Sequence, residues 1–132
     1  MKARTLRRAY LSEALVMLVL ARLAVRIVRP SRLFAWANRA PRRIRRFAGD
    51  EAAWVSWAVE YLGARTSTLC LPRAFAAHAM LRRRGIASCL CLGVARQDGA
   101  LTAHAWIEIG NDKIVGGAEA TRFTRLAAFG AT

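Results

Sequence analysis

The sequence predicts an α+β chain: helices first, then one long central helix, then a small antiparallel sheet. Three observations predict it. Apolar residues recur at helical spacing as far as residue 84, punctuated by Pro30, Pro41 and Gly63. After Gly85 the pattern changes to short apolar runs separated by turn residues, as in strands. At the start of the last helical run, in TLCLPRAF, Cys70 stands two residues before Pro72, and a proline sits comfortably only in a first helical turn.

Residues 1–29 read as a helix ended by Pro30. Residues 31–47, SRLFAWANRAPRRIRRF, read as one or two short helical turns broken by Pro41. Asp50 is placed to cap EAAWVSWAVEYL and Gly63 to stop it, with Trp54, Trp57, Ala58 and Tyr61 on one stripe that belongs to a core. Thr66, Ser67 or Thr68 is placed to cap the next helix, which begins near Leu69–Leu71 and runs to Arg84. Its stripe is Leu71, Ala74, Phe75, His78 and Leu81, and Arg82–Arg84 suit the negative end of its dipole. IASCLCLGVAR is a strand, QDGA a turn, LTAHAWIEIG a second strand and DKIVGG a third, the last two forming a hairpin. ATRFTRLAAFGAT closes the chain as a short helix or an extended tail. The 132 residues thus divide into a basic amphipathic helical segment, 1–46, and a core, 47–132.

Charge follows the same division. Residues 1–46 hold 13 bases and one acid, Glu13, for a net +12, while residues 47–132 hold 9 bases and 7 acids, for +2. Such a basic segment is an electrostatic footprint for nucleic acid, but no recognition module accompanies it and an apolar stripe does, so nucleic acid is kept only as an alternative to a peptide or protein partner. The apolar stretch EALVMLVLARLAVRIV, residues 13–28, carries Arg22 and Arg26 and falls short of the roughly 20 apolar residues of a spanning helix. It reads as an amphipathic helix that docks on the domain or a partner, with peripheral membrane contact also open. It lacks the features of a signal peptide, and a cytoplasmic location is expected.

Three cysteines, Cys70, Cys89 and Cys91, make an odd number that does not suggest a disulfide framework. Cys89 and Cys91, two apart on a strand, share a face and read as buried small hydrophobes. A Cys-x-Cys pair cannot by itself complete a zinc site, so neither metal nor cofactor is expected. Cys70 differs, because the free N–H groups of a helix start stabilise a thiolate. A nucleophile also needs a base, and the chain has two histidines. His78 lies eight residues along the same helix, about 12 Å of rise away, and reads as a packed core residue. His104 falls on a strand, sharing a face with Trp106 and Glu108, and a strand packed against the start of the Cys70 helix can bring an imidazole to that sulfur.

CLPRAFAAHAMLRRRGIASCLCLGVAR, followed by AHAWIEI and VGG, resembles the stand-alone leader peptidases of lasso-peptide biosynthesis, within the transglutaminase-like, papain-related superfamily. LSEALVMLVLARLAVRI near the start and FTRLAAFG near the end are similar to that family too. The resemblance implies a bacterial cysteine peptidase with a papain- or transglutaminase-like core, Cys70 as nucleophile and His104 as base. It implies as partners a precursor peptide with its leader, a small leader-recognition protein and an ATP-using macrolactam synthetase. Other transglutaminase-like amidases or acyltransferases would use the same two residues, and a scaffold that has lost activity is a further alternative.

Family members often carry an aspartate about a dozen residues past the histidine, and here that position is Gly116. Glu108 is four residues from His104, about 13 Å along a strand, and Asp112 is at the far end of the hairpin. If Asn111 and Asp112 form the turn, Gly110 pairs with Lys113 and His104 faces Glu119, which makes Glu119 the candidate third member. Gly116 and Gly117 can bulge and break that register, and a backbone carbonyl can orient the ring instead. The oxyanion hole is expected to use the Cys70 N–H, and Trp106 to wall the site or pack in the core.

Overall fold

The computed structural model describes residues 2–41, 44 and 49–130. The chain runs α1 (Lys2–Ile27), α2 (Pro30–Ala37), α3 (Gly49–Arg65), α4 (Cys70–Arg83), β1 (Cys89–Gln97), β2 (Ala100–Ile109), β3 (Asp112–Val115), α5 (Gly117–Ala120) and β4 (Thr124–Gly130). The expected α+β order holds. The chain expected to turn after Pro41 lies for the most part outside the described residues.

One apolar core joins the helices to the sheet. α1 contributes Tyr10, Ala14, Leu18 and Ala21, α3 Val55, Ala58 and Val59, α4 Phe75, Met80 and Leu81, and the sheet Leu90, Ala105, Ile107 and Val115. Glu13 of α1 crosses to α4, where it accepts from Arg83 at 2.8 Å and Arg84 at 2.9 Å. Pro30 ends one helix as expected and also opens the next, at a first-turn position where its missing N–H costs nothing.

Gly63 is not a helix stop. α3 continues through it to Arg65, and the chain reverses at Ser67, whose φ is 52°. A Cβ at position 63 would lie 2.6 Å from Arg73 Nε, so the glycine makes room for the Arg73 side chain of α4. The threonines expected to cap α4 do other work. Thr66 Oγ1 donates to Leu62 O at 2.7 Å, closing α3, and also meets Thr68 Oγ1 at 2.6 Å. The N-cap of α4 is Leu69, with no side-chain hydrogen bond to the helix start.

The sheet order is β3-β2-β1-β4, antiparallel throughout. Gln97 pairs with Ala100 across Asp98-Gly99, both at positive φ, as a tight two-residue hairpin requires. The second turn is Gly110-Asn111, one residue earlier than expected, because Gly110 supplies the left-handed φ of 58° that its first position needs. The last stretch of chain is neither helix nor free tail: α5 forms one short turn, and β4 pairs along β1.

Side chains alternate across β2. Ala105 and Ile107 face the helical core. His104 and Trp106 lie on the other face, where Trp106 packs with Cys89, Cys91, Ala120 and Phe123. Cys89 and Cys91 are buried on that face as expected, with the Cys91 thiol pushed up to about 12, chiefly by burial and then by Cys89 and Glu108. Among the described residues no group of three or more His, Cys, Asp or Glu side chains is arranged to hold a metal.

Candidate active site

α4 presents Cys70 at its first residue, packed at the margin of the core and partly exposed. Without a side-chain cap, the first N–H groups of α4 are left for the space in front of the helix. Arg73, one turn on, donates from Nε to Thr68 O at 2.6 Å and sets Nη1 3.8 Å from Glu60 Oε1, tying the segment before Cys70 to α3.

That space is a cleft of about 590 Å³. Cys70, Thr68 and Arg73 line it on the helical side, and Thr102, Ala103, His104 and Ala105 along β2. Gly116, Glu119, Arg122 and Phe123 close it from α5 and its flanks. The cleft lies beside the part of β2 that β3 does not reach, since β3 pairs only with Ile107–Ile109. Cys70 and His104 therefore border one space. No hydrogen bond joins Cys70 Sγ to the imidazole.

His104 is 8% exposed, stacked on Trp106, 5.9 Å away at 22°, and in tilted contact with Phe123, 5.0 Å away at 30°. Its Nε2 lies 2.9 Å from Gly116 O. A carbonyl only accepts, so Nε2 carries a proton, and in the neutral ring Nδ1 then holds the lone pair that a base needs. Gly93 stands opposite His104 on β1, and a Cβ there would meet the Trp106 ring at 2.7 Å.

The expected strand pairing of His104 with Glu119 does not form. The ladder shifts between Ile107 and Glu108 and ends at Ile107–Val115, and Gly116, at φ 71°, turns the chain out of the sheet into α5. Glu119 therefore reaches the cleft from α5 and makes no hydrogen bond to His104. Gly116, where the resemblance leads one to expect an aspartate, offers its own carbonyl to the ring. Glu108 is committed elsewhere, accepting from Trp106 Nε1 at 3.0 Å and Arg125 at 3.3 Å. Asp112 lies at the distal turn, and His78 is buried in the core as expected.

Sequence reasoning missed Arg73, Arg122 and Phe123 as cleft residues. Arg73 had a signal, three residues past Cys70 and so one turn along the same face. Arg122 and Phe123 had none, because the turn that delivers them depends on where the β2–β3 ladder stops.

A family model for the transglutaminase-like superfamily matches residues 14–128. The chain belongs to the transglutaminase-like superfamily. No curated protein and no solved structure matches it significantly. Transglutaminase-like domains are generally those of cysteine-based enzymes. The match reaches back into α1, in keeping with a core to which α1 contributes Ala14, Leu18 and Ala21.

Proposed function

We propose that this protein is a cysteine peptidase that removes the leader from a ribosomally made lasso-peptide precursor. The observation that carries the reading is the cleft itself: in a transglutaminase-like chain, a cysteine opening an uncapped helix and a histidine held in the base tautomer border the same space. The peptide specificity rests on the sequence resemblance, with a leader-recognition protein and a macrolactam synthetase as the partners it implies.

In this reading His104 Nδ1 takes the Cys70 thiol proton and Sγ attacks the scissile carbonyl. The C–N bond breaks, the proton passes to the leaving amine, and an acyl group remains on sulfur. Water, deprotonated by the same imidazole, then attacks the thioester, releasing acid and free thiol. The Cys70 N–H is one donor to the developing oxyanion. The side chains must close to hydrogen-bond distance during turnover, a tightening that substrate often brings about. Gly116 O keeps the ring aligned, and Glu119, the acid on the α5 wall, supports the imidazolium from across the cleft.

The test is mass spectrometry of a leader-bearing lasso precursor incubated with this protein and its leader-recognition partner. Two fragments whose masses sum to that of the precursor plus one water are expected, and none with Cys70→Ala. A product joined to an added amine instead of water would assign the chain to the acyltransferases, which use the same pair.

A further inference from the structure

The second half of α1 is apolar on both sides. Its inner stripe, Ala14, Leu18 and Ala21, is buried in the core. Its outer stripe is not covered: Val16 is 54% exposed, Val19 50%, Leu20 53%, Leu23 50% and Ile27 77%. At 3.6 residues per turn these five fall on one arc pointing away from the buried stripe, along about three turns. Next to Leu20 this face opens into an apolar slot of about 180 Å³, walled by Met17, Leu33, Trp36 and Phe75.

Charge borders the face on one side. Arg22 and Arg26, both exposed, flank the outer stripe, with Arg22 Nη1 3.5 Å from Thr66 O, and the exposed Arg4 and Arg8 continue the same line two turns and more toward the N-terminus. The lone acid of α1, Glu13, is turned inward and held by Arg83 and Arg84. No anionic side chain of α1 therefore faces outward beside those arginines. Among the described residues no helix, this one included, is long and apolar enough to cross a membrane.

We propose that the outer face of α1 lies on an anionic lipid bilayer, with the Val16–Ile27 stripe at the acyl boundary and the arginine row at the level of the phosphates. Charge complementarity argues for it, because a row of guanidinium groups beside aliphatic side chains is what an interfacial helix offers to anionic headgroups. Composition argues for lipid over a protein partner. Protein hot spots favour Trp and Tyr, with Leu and Val under-represented, and this stripe is wholly aliphatic. The inference is independent of the peptidase reading.

The experiment is co-sedimentation of the full chain with extruded vesicles of phosphatidylcholine, with and without about one quarter phosphatidylglycerol. The chain is expected to pellet with the anionic vesicles at least about tenfold more tightly than with neutral ones, and to be released by high salt. Val19→Glu with Leu23→Glu should lose binding while circular dichroism is unchanged, both positions being half exposed. Arg22→Gln with Arg26→Gln should weaken binding to anionic vesicles about tenfold or more and leave the residual neutral binding alone. No pelleting with anionic vesicles, or equal binding to neutral ones, overturns the proposal. So does a chain that is dimeric in solution and becomes monomeric with Val19→Glu and Leu23→Glu, since a second copy would then cover the face. So does capture of an acidic protein by this face without any binding to vesicles.

Discussion

His78 and His104 share one device and differ in what it leaves free. Each has Nε2 against a main-chain carbonyl, Ala37 O at 2.8 Å for His78 and Gly116 O at 2.9 Å for His104. The other nitrogen separates them. His78 Nδ1 meets Ser88 Oγ at 2.8 Å inside the core, so both ring nitrogens are committed. His104 Nδ1 has no hydrogen-bond partner among the described residues, and its ring borders the cleft that Cys70 also lines. A carbonyl fixes the tautomer in both places, and access alone makes one of them a candidate base. In both places a main-chain carbonyl holds the imidazole where a carboxylate could, without its charge.

The largest effect that would break this comparison is in turnover. His104→Ala is expected to lower precursor cleavage by about 1,000-fold or more, through loss of the general base and acid, with its circular dichroism unchanged. His78→Ala should keep turnover per folded molecule and lose about 2–4 kcal/mol of stability, measured by urea unfolding, because it leaves Ser88 and Ala37 O without their buried partner. Turnover lost equally in both variants would mean that the two sites do not differ in kind.

Next in size is the glycine that holds the ring. Gly116→Ala places a methyl at φ 71°, 2.9 Å from Ala105 O and 3.1 Å from His104 Nε2. It should cost about 1–2 kcal/mol in backbone strain alone and reduce kcat about tenfold or more by displacing the imidazole. Glu119→Gln should do less, a fall of a few-fold in kcat with stability unchanged, because Gly116 O still orients the ring. A larger loss in Glu119→Gln than in Gly116→Ala would make the carboxylate the principal orienter.

Access should distinguish the cysteines as it does the histidines. Iodoacetamide is expected to label Cys70 first, since Cys89 and Cys91 are 4% and 0% exposed and Cys91 is held as the thiol. Peptide mapping at short times checks this, and Cys89 labelling ahead of Cys70 would contradict it.

The smallest effect is in pH dependence of stability. Burial, the largest cause, and then the nearby Arg82 hold the His78 pKa below its ordinary 6.5, against the opposing hydrogen bond to Ala37. Between the lowered value and 6.5 the unfolded chain binds a proton that the folded chain does not, so stability falls as pH drops through that window and levels off below it. Melting temperatures measured from neutral pH downward should show this slope in the wild type and a shallower one in His78→Gln.

Much of this was legible in the sequence, and the exceptions have physical causes. α1, α4 and the β1–β2 hairpin follow from apolar spacing, Pro72 and Asp98-Gly99, each a local signal. So does the placing of Cys70 at a helix start and His104 on a strand. Gly63 misled because a glycine that ends a helix and one that lets a neighbouring arginine approach look alike in sequence. Thr66 and Thr68 misled because the Thr66 hydroxyl closes the preceding helix and the Thr68 hydroxyl pairs with it. The His104–Glu119 pairing failed on a one-residue change of turn and a left-handed glycine, which together carry the chain out of the sheet. β4 was unreadable because its partner, β1, is more than 25 residues back. The N-terminal segment looked separable by charge, yet Tyr10, Ala14, Leu18 and Ala21 are core residues, so point variants test its role more cleanly than deletion of the helix.

The measurement that bears most directly on the central claim is the product spectrum from a leader-bearing precursor incubated with the wild type, Cys70→Ala, His104→Ala and His78→Ala, each with the leader-recognition partner and each shown to be folded. The account predicts leader and core fragments from the wild type and from His78→Ala, and intact precursor from Cys70→Ala and His104→Ala. Cleavage at the wild-type rate by folded His104→Ala would contradict it, because the cleft would then hold no working pair.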